Sequence, residues 1–277
     1  MSQSHISGVR LLPGRLVLTV YALILALPLL WMVISSFKPS VEVYGRPWSL
    51  PTAWKFENYS QAWEMGVSQY FVNSLVVTSV TTALVLVVAA LAAYSLVRMH
   101  NWVARLTLMA VMGSLVISPQ VSIVPLYDLL GRVGIIDTYE AMVLPYVAYR
   151  LPMAILLIRA VFLEVPRELE EASRLDGCGS FRTFVNVYWP VSSGVLATAA
   201  ILTIYYTWNE FLFALIFVNS DELRTIPAGL MAFRDALATD WGVLLAGLTI
   251  AAVPIVVVFL LGQRFLIAGI TAGSVKG

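Results

Sequence analysis

Side chains that usually carry chemistry are scarce in this sequence, and most stand where they exclude a reaction. Two histidines, His5 and His100, and one cysteine, Cys178, are too few and too scattered to form the clustered nitrogen and sulfur ligands of a zinc site. A single cysteine also precludes a disulfide within the chain. The lysines Lys38, Lys55 and Lys276 follow Phe37, Trp54 and Val275, so the Gly-Lys pair of a phosphate-binding loop does not occur. Neither His-Glu-x-x-His nor Gly-x-Ser-x-Gly is present. We assign no catalytic residue and no metal ligand. A net charge of +1 leaves no basic face for nucleic acid.

Three other groups are placed to act. Arg150 and Glu210 each interrupt an otherwise uncharged stretch. Ionisable groups inside a membrane are costly, so they pair with each other or face a cavity. Trp208-Asn209-Glu210 offers a ring to stack on a sugar and an amide and a carboxylate to bind hydroxyls, a candidate solute path. Gln120 joins it, because Pro119 and Pro125 break hydrogen bonds in the same span and broken helices mark transport paths. The third group is the segment from Glu164 to Pro190, where acids, a glycine and a proline alternate with apolar residues.

The elements that hold these groups are legible from charge. The 277 residues are 60% hydrophobic and 12% charged, with mean hydropathy +0.85, about half the charged share of a soluble domain. Uncharged runs of 22, 33, 22 and 23 residues lie between Arg15 and Lys38, Glu64 and Arg98, Arg105 and Asp128, and Asp240 and Arg264. Each reaches the roughly 20 residues that cross a bilayer core as a helix. With the two runs that contain Arg150 and Glu210, six spans are expected, at about 16–37, 71–96, 106–127, 141–158, 188–218 and 241–263. The first has basic flanks like a signal peptide but is long and lacks a clean cleavage site, so it reads as a retained helix. The expected fold is all-α: a polytopic membrane protein of six transmembrane helices, one domain over 1–277. Ten lysines and arginines fall on the side of the termini and six on the other, which places both termini in the cytoplasm of a multi-pass cell-membrane protein. The outer loops are then about 38–70, 128–139 and 219–240. The first, rich in Pro, Trp and Tyr, reads as an interfacial belt or as a docking surface. Ala89, Ala90, Ala92, Ala93 and Ser95 in the second span predict close helix packing.

The segment 164–187 is the longest cytoplasmic connection. Pro166 suits a first helical turn, and Glu168, Glu170 and Glu171 suit the positive end of the helix dipole. Leu169, Ala172 and Leu175 form a narrow apolar stripe. Gly177 ends the helix by taking positive φ, and Ser180 caps a second short helix that meets the fifth span at Pro190. Either this helix lies on the lipid surface, or it is a rigid knob for a cytoplasmic partner.

Glu171-Ala172-Ser173, three residues, Gly177, nine residues and Val187-Tyr188-Trp189-Pro190 resembles the EAA motif of ABC-importer permeases. Ser173 replaces the usual Ala, and Trp189 the usual Leu. Ser36-Phe37-Lys38-Pro39, Phe56-Glu57-Asn58-Tyr59, Phe71-Val72-Asn73-Ser74-Leu75, Trp208-Asn209-Glu210-Phe211 and the tail from Thr271 to Gly277 are similar to the carbohydrate branch, the MalG-like permeases. Ile267-Ala268-Gly269-Ile270 departs from that branch by lacking an arginine. The resemblance implies a cytoplasmic coupling helix in which Glu170, Glu171, Ala172, Asp176 and Gly177 contact the ATPase. It implies a second, MalF-like permease, two ATPase subunits that bind ATP and Mg, and an extracytoplasmic solute-binding protein. The cargo it implies is a carbohydrate, with a polyol or glycerophosphodiester as the alternative. A different class, a proton-coupled secondary transporter using Arg150 and Glu210 as a relay, leaves the segment 164–190 without a role. A non-transporting scaffold is a third.

Overall fold

The computed structural model describes residues 11–236 and 240–274. All regular structure among them is helical. The helices are α1 Leu11–Ser35, α2 Ser40–Gly45, α3 Glu57–Ala62, α4 Ser68–Arg98, α5 Trp102–Ser114, α6 Ile123–Val133 and α7 Tyr139–Phe162. They continue as α8 Arg167–Leu175, α9 Ser180–Thr183, α10 Trp189–Val191, α11 Ser193–Asn209, α12 Leu212–Phe217, α13 Ile226–Ala236 and α14 Trp241–Ser274. Four stretches, Arg15–Ser35, Glu57–Arg98, Tyr139–Phe162 and Trp241–Phe265, are long and apolar enough to cross a membrane. Two more spans are bent pairs, so the described residues hold up to six. The chain forms two compact units.

The described residues of one unit fall within 11–66 and 232–250. Its α1 exposes leucines, valines and isoleucines on every side, as a helix surrounded by lipid does. The loop after α1 is a small polar core. Lys38 is wholly buried, and its Nζ donates to the carbonyls of Arg46 (3.1 Å) and Pro47 (3.0 Å). Trp31 Nε1 donates to the Pro47 carbonyl at 2.8 Å, and Asn58 Nδ2 donates to the carbonyls of Ser36 and Lys38. The rings of Trp54, Phe56 and Tyr59 gather round Phe37 at 5.1–5.5 Å. A Cβ at Gly242 would collide with the Lys38 carbonyl and Asn58, which reserves that position for glycine. Of the loop's aromatics, Tyr44, Trp48, Trp54, Phe56 and Trp63 remain exposed.

The described residues of the other unit fall within 67–231 and 251–274. Here α4 runs along α7, and α11 packs on both. Ala89, Ala90 and Ala93 are fully buried in that contact, as expected of small residues that let backbones approach in lipid. Ala92 is half-buried and Ser95 turns outward. The third span is not one helix. α5 stops at Ser114, a 3₁₀ turn fills Pro119–Ser122, and α6 leaves at 98° to α5. The break therefore precedes Pro119. Pro125 interrupts nothing, because it lies in the first turn of α6, where an N–H has no helical partner. The fifth span bends by 78° between Ser180–Val191 and α11, just beyond Pro190, and ends at Asn209 before the separate helix α12.

Candidate functional site

The segment after α7 is built as a rigid element. Pro166 stands one residue before α8, at the cap, and Glu168 and Glu170 occupy the first turn. α8 ends in a Schellman motif: the Gly177 N–H donates to Arg174 O and the Cys178 N–H to Ser173 O, both at 3.0 Å. This closure needs a left-handed residue, and Gly177 supplies it at φ +77°. Gly179, not Ser180, fills the cap position of α9, so the expected serine cap is replaced by a residue without a side chain.

Glu170 is the hub that ties α8 to the spans. Its Oε1 pairs with Arg98 (2.5 Å), the last residue of α4, and with Arg174 (2.7 Å) one turn on. Its Oε2 accepts from the Tyr188 hydroxyl at 2.8 Å, at the entry to the fifth span. Arg98 also donates to the Tyr94 hydroxyl, which in turn donates to Ser180 O at 3.0 Å. Tyr188 stacks edge-on with Tyr94 (4.9 Å) and Phe162 (5.1 Å). Phe184 meets Tyr94 at 5.4 Å and Trp189 at 5.9 Å, which gives that tryptophan a packing role. The departure at Ser173 is compensated: its buried hydroxyl shares a 2.9 Å hydrogen bond with the buried hydroxyl of Thr183, joining α8 to α9.

Helical periodicity therefore separates the two glutamates. Glu170 and Ser173, three apart, face inward. Glu171, Ala172, Asp176 and Gly177 are exposed, with Leu175 at 89% and Phe181 at 71%. The expected apolar stripe of Leu169, Ala172 and Leu175 is thus left uncovered by the chain itself. A cavity of about 360 Å³ opens on a different face of α8, bounded by Arg98, His100, Arg167, Glu170, Glu171 and Arg174. A helix lying on lipid would not need a carboxylate fixed to three groups from two spans and its own next turn. Sequence reasoning finds the glycine and the acids and names Tyr188 only as a motif position, and it misses the parts played by Arg98, Tyr94 and Thr183. The one available signal for Arg98 is that it closes an uncharged run.

The candidate solute-path residues are used differently. Glu210 caps α12: its carboxylate accepts from the N–H groups of Leu212 (2.9 Å) and Phe213 (3.1 Å), and from the Tyr146 hydroxyl at 2.5 Å. Arg150 lies over the Tyr206 ring, 3.3 Å from its centre. No ion pair joins Arg150 to Glu210 among the described residues. Trp208 is buried, with Nε1 donating to Ala251 O at 3.1 Å and its ring edge-on to Phe71, so it holds α11 to α14 and leaves no open face for a sugar. Asn209 is exposed at the end of α11, its Nδ2 turned back to Tyr205 O. Gln120 is exposed in the 3₁₀ turn of the broken third span and accepts from the Ser118 hydroxyl. Val275, Lys276 and Gly277 of the tail lie outside the described residues.

Comparison with known proteins agrees with this architecture. The family model described as "Binding-protein-dependent transport system inner membrane component" matches residues 85–271, more than half of the chain. The chain is 52% identical over 260 residues to the probable ABC transporter permease protein YurM of Bacillus subtilis, covering 94% of this chain and 87% of that protein. It is 30% identical to the trehalose/maltose transport system permease protein MalG of Thermococcus litoralis, covering 95% of this chain and 97% of that one. In fold it matches a chain from the crystal structure of a bacterial ABC transporter involved in the import of the acidic polysaccharide alginate. That match has a TM-score of 0.81 at 19% identity and covers 95% of this chain and 99% of the other. Apolar spans, a clamped segment between the fourth and fifth of them and these matches together place the chain in the family of binding-protein-dependent transport system inner membrane components, as an ABC importer permease.

Proposed function

We propose that this permease carries a carbohydrate across the cytoplasmic membrane, driven by ATP hydrolysed on separate subunits. The observation that carries the reading is the clamp at Glu170, which fixes an outward-facing patch of Glu171, Leu175, Asp176 and Phe181 to the ends of two spans. Force applied to that patch passes through Arg98 into α4 and through Tyr188 into the fifth span. In this reading two ATPase subunits bind ATP and Mg, one of them docks on Glu171, Ala172 and Gly177, and both termini are cytoplasmic. A second, MalF-like permease completes the pore, and a solute-binding protein delivers cargo from outside. The chain itself catalyses no reaction. Rotation of the attached spans then alternates access to the cargo. The sugar assignment is supported by the relatives' named substrates, trehalose and maltose among them. Asn209 and Gln120, both exposed on broken spans, are the groups we assign to hydroxyl recognition.

The test is uptake into proteoliposomes holding the assembled importer. Enclosed ATP is expected to drive uptake of a labelled disaccharide, and a proton gradient is not. Uptake by the purified chain alone under a proton gradient would establish the secondary-transporter reading instead.

A further inference from the structure

A second cavity, about 420 Å³, lies at the same end of the spans but outside the clamp. It forms where α4 ends, α5 begins and α7 approaches its end. Its lower wall is apolar, with Leu96, Leu108 and Leu163, and its polar side carries His100, Arg105 and Arg159. No carboxylate among the described residues lines it. Neither Arg105 nor Arg159 makes an ion pair among the described residues, and the buried Nε of Arg159 has no hydrogen-bond partner. Trp102, at the start of α5, stands exposed beside it, as an anchor at the membrane surface does.

Two guanidiniums without counter-charge above an apolar wall, at the ends of membrane spans, match one chemistry. We propose that this cavity seats the phosphate headgroup of an anionic phospholipid, with Arg105 and Arg159 on the phosphate and the acyl chains along Leu96 and Leu108. Basic pockets between spans at the membrane surface take such headgroups. The cavity touches the clamp through Val97, His100 and Leu163, which line both cavities, so a bound lipid would brace the end of α4 that holds Glu170. The proposal needs only that the chain spans the membrane, and stands apart from the choice of cargo.

The test is native mass spectrometry of the intact importer in mild detergent, titrated with phosphatidylglycerol or with phosphatidylcholine of the same chains. Wild type is expected to retain phosphatidylglycerol over phosphatidylcholine by roughly 10- to 30-fold, the attraction of two arginines near an anionic group. The R105Q/R159Q variant should lose that preference. Leu108→Trp, which fills the apolar wall and keeps both charges, should lose the retained lipid as well. Wild-type lipid retention in both variants overturns the proposal. So does loss of a protein subunit from R105Q/R159Q with lipid unchanged, which would assign the arginines to a protein contact.

Discussion

Replacing Glu170 with Ala removes the acceptor for Arg98, Arg174 and Tyr188 in one step. The Arg174 contact is worth little, since that side chain is 60% exposed. The other two matter. The Arg98 and Glu170 side chains are only 19% and 17% exposed, so the substitution strands a largely shielded guanidinium and a tyrosine hydroxyl. Losing a charge-assisted bond to each, at the low end because water still reaches the pair, costs about 3 kcal/mol. That energy holds α8 against the spans, so it should appear as local opening, not as loss of the fold. The amides of Asp176, Gly177 and Cys178, which end α8, are then expected to exchange hydrogen roughly 100-fold faster. Amides in the middle of α7 should be unaffected. The assay is hydrogen exchange by mass spectrometry on the importer in nanodiscs, paired with uptake and ATP hydrolysis. Glu170→Gln keeps a neutral acceptor, so its effect should be several times smaller. Uptake should fall in parallel with protection while ATP hydrolysis persists. Wild-type exchange at these three amides in Glu170→Ala, with uptake intact, would refute the clamp.

Three further outcomes are expected. At Gly177 no atom lies within 4 Å of an added Cβ, so the cost there is conformational. Gly177→Val should cost about 1–2 kcal/mol locally and abolish uptake without loss of membrane insertion, and Gly177→Asn should be milder. Wild-type uptake with valine contradicts this. In a double-mutant cycle read by thermal unfolding, Ser173→Ala should destabilise by about 1 kcal/mol, because it strands the Thr183 hydroxyl. Adding Thr183→Val should recover most of that, and additive losses would show that the two hydroxyls do not interact. Glu210→Ala should cost about 1–2 kcal/mol through the lost cap of α12. Arg150→Ala should add to it independently, within about 0.5 kcal/mol, and strong coupling would mean that the two charges pair after all.

Much of the frame was readable from the chain because lipid imposes long uncharged runs, and charge is visible residue by residue. The helix end at Gly177 was readable for a similar reason: a left-handed cap leaves a local mark. The inward and outward division of Glu170 and Glu171 was implicit in helical periodicity but needed a partner to orient it. That partner, Arg98, lies in another span, and nothing local links the two. Trp208 and Glu210 show the opposite failure. Adjacent to Asn209, they suggested one binding surface, yet Trp208 packs α11 to α14 and Glu210 caps α12. A carboxylate two to four residues before free N–H groups is also a capping signal, and it was hidden because the break between Asn209 and Leu212 carries neither glycine nor proline. The Ser173 departure was visible as a mismatch, and its meaning depended on Thr183, ten residues away.

The account turns on where force enters the chain, and a photoreactive residue at Leu175, on the exposed end of α8, reads that directly. In cells making the whole importer, the account predicts a cross-link from position 175 to the ATPase subunit, lost in Glu170→Ala. A probe at Val80, exposed in the middle of α4, should capture none. Capture of lipid alone at position 175, or of the ATPase equally from Val80, would contradict it.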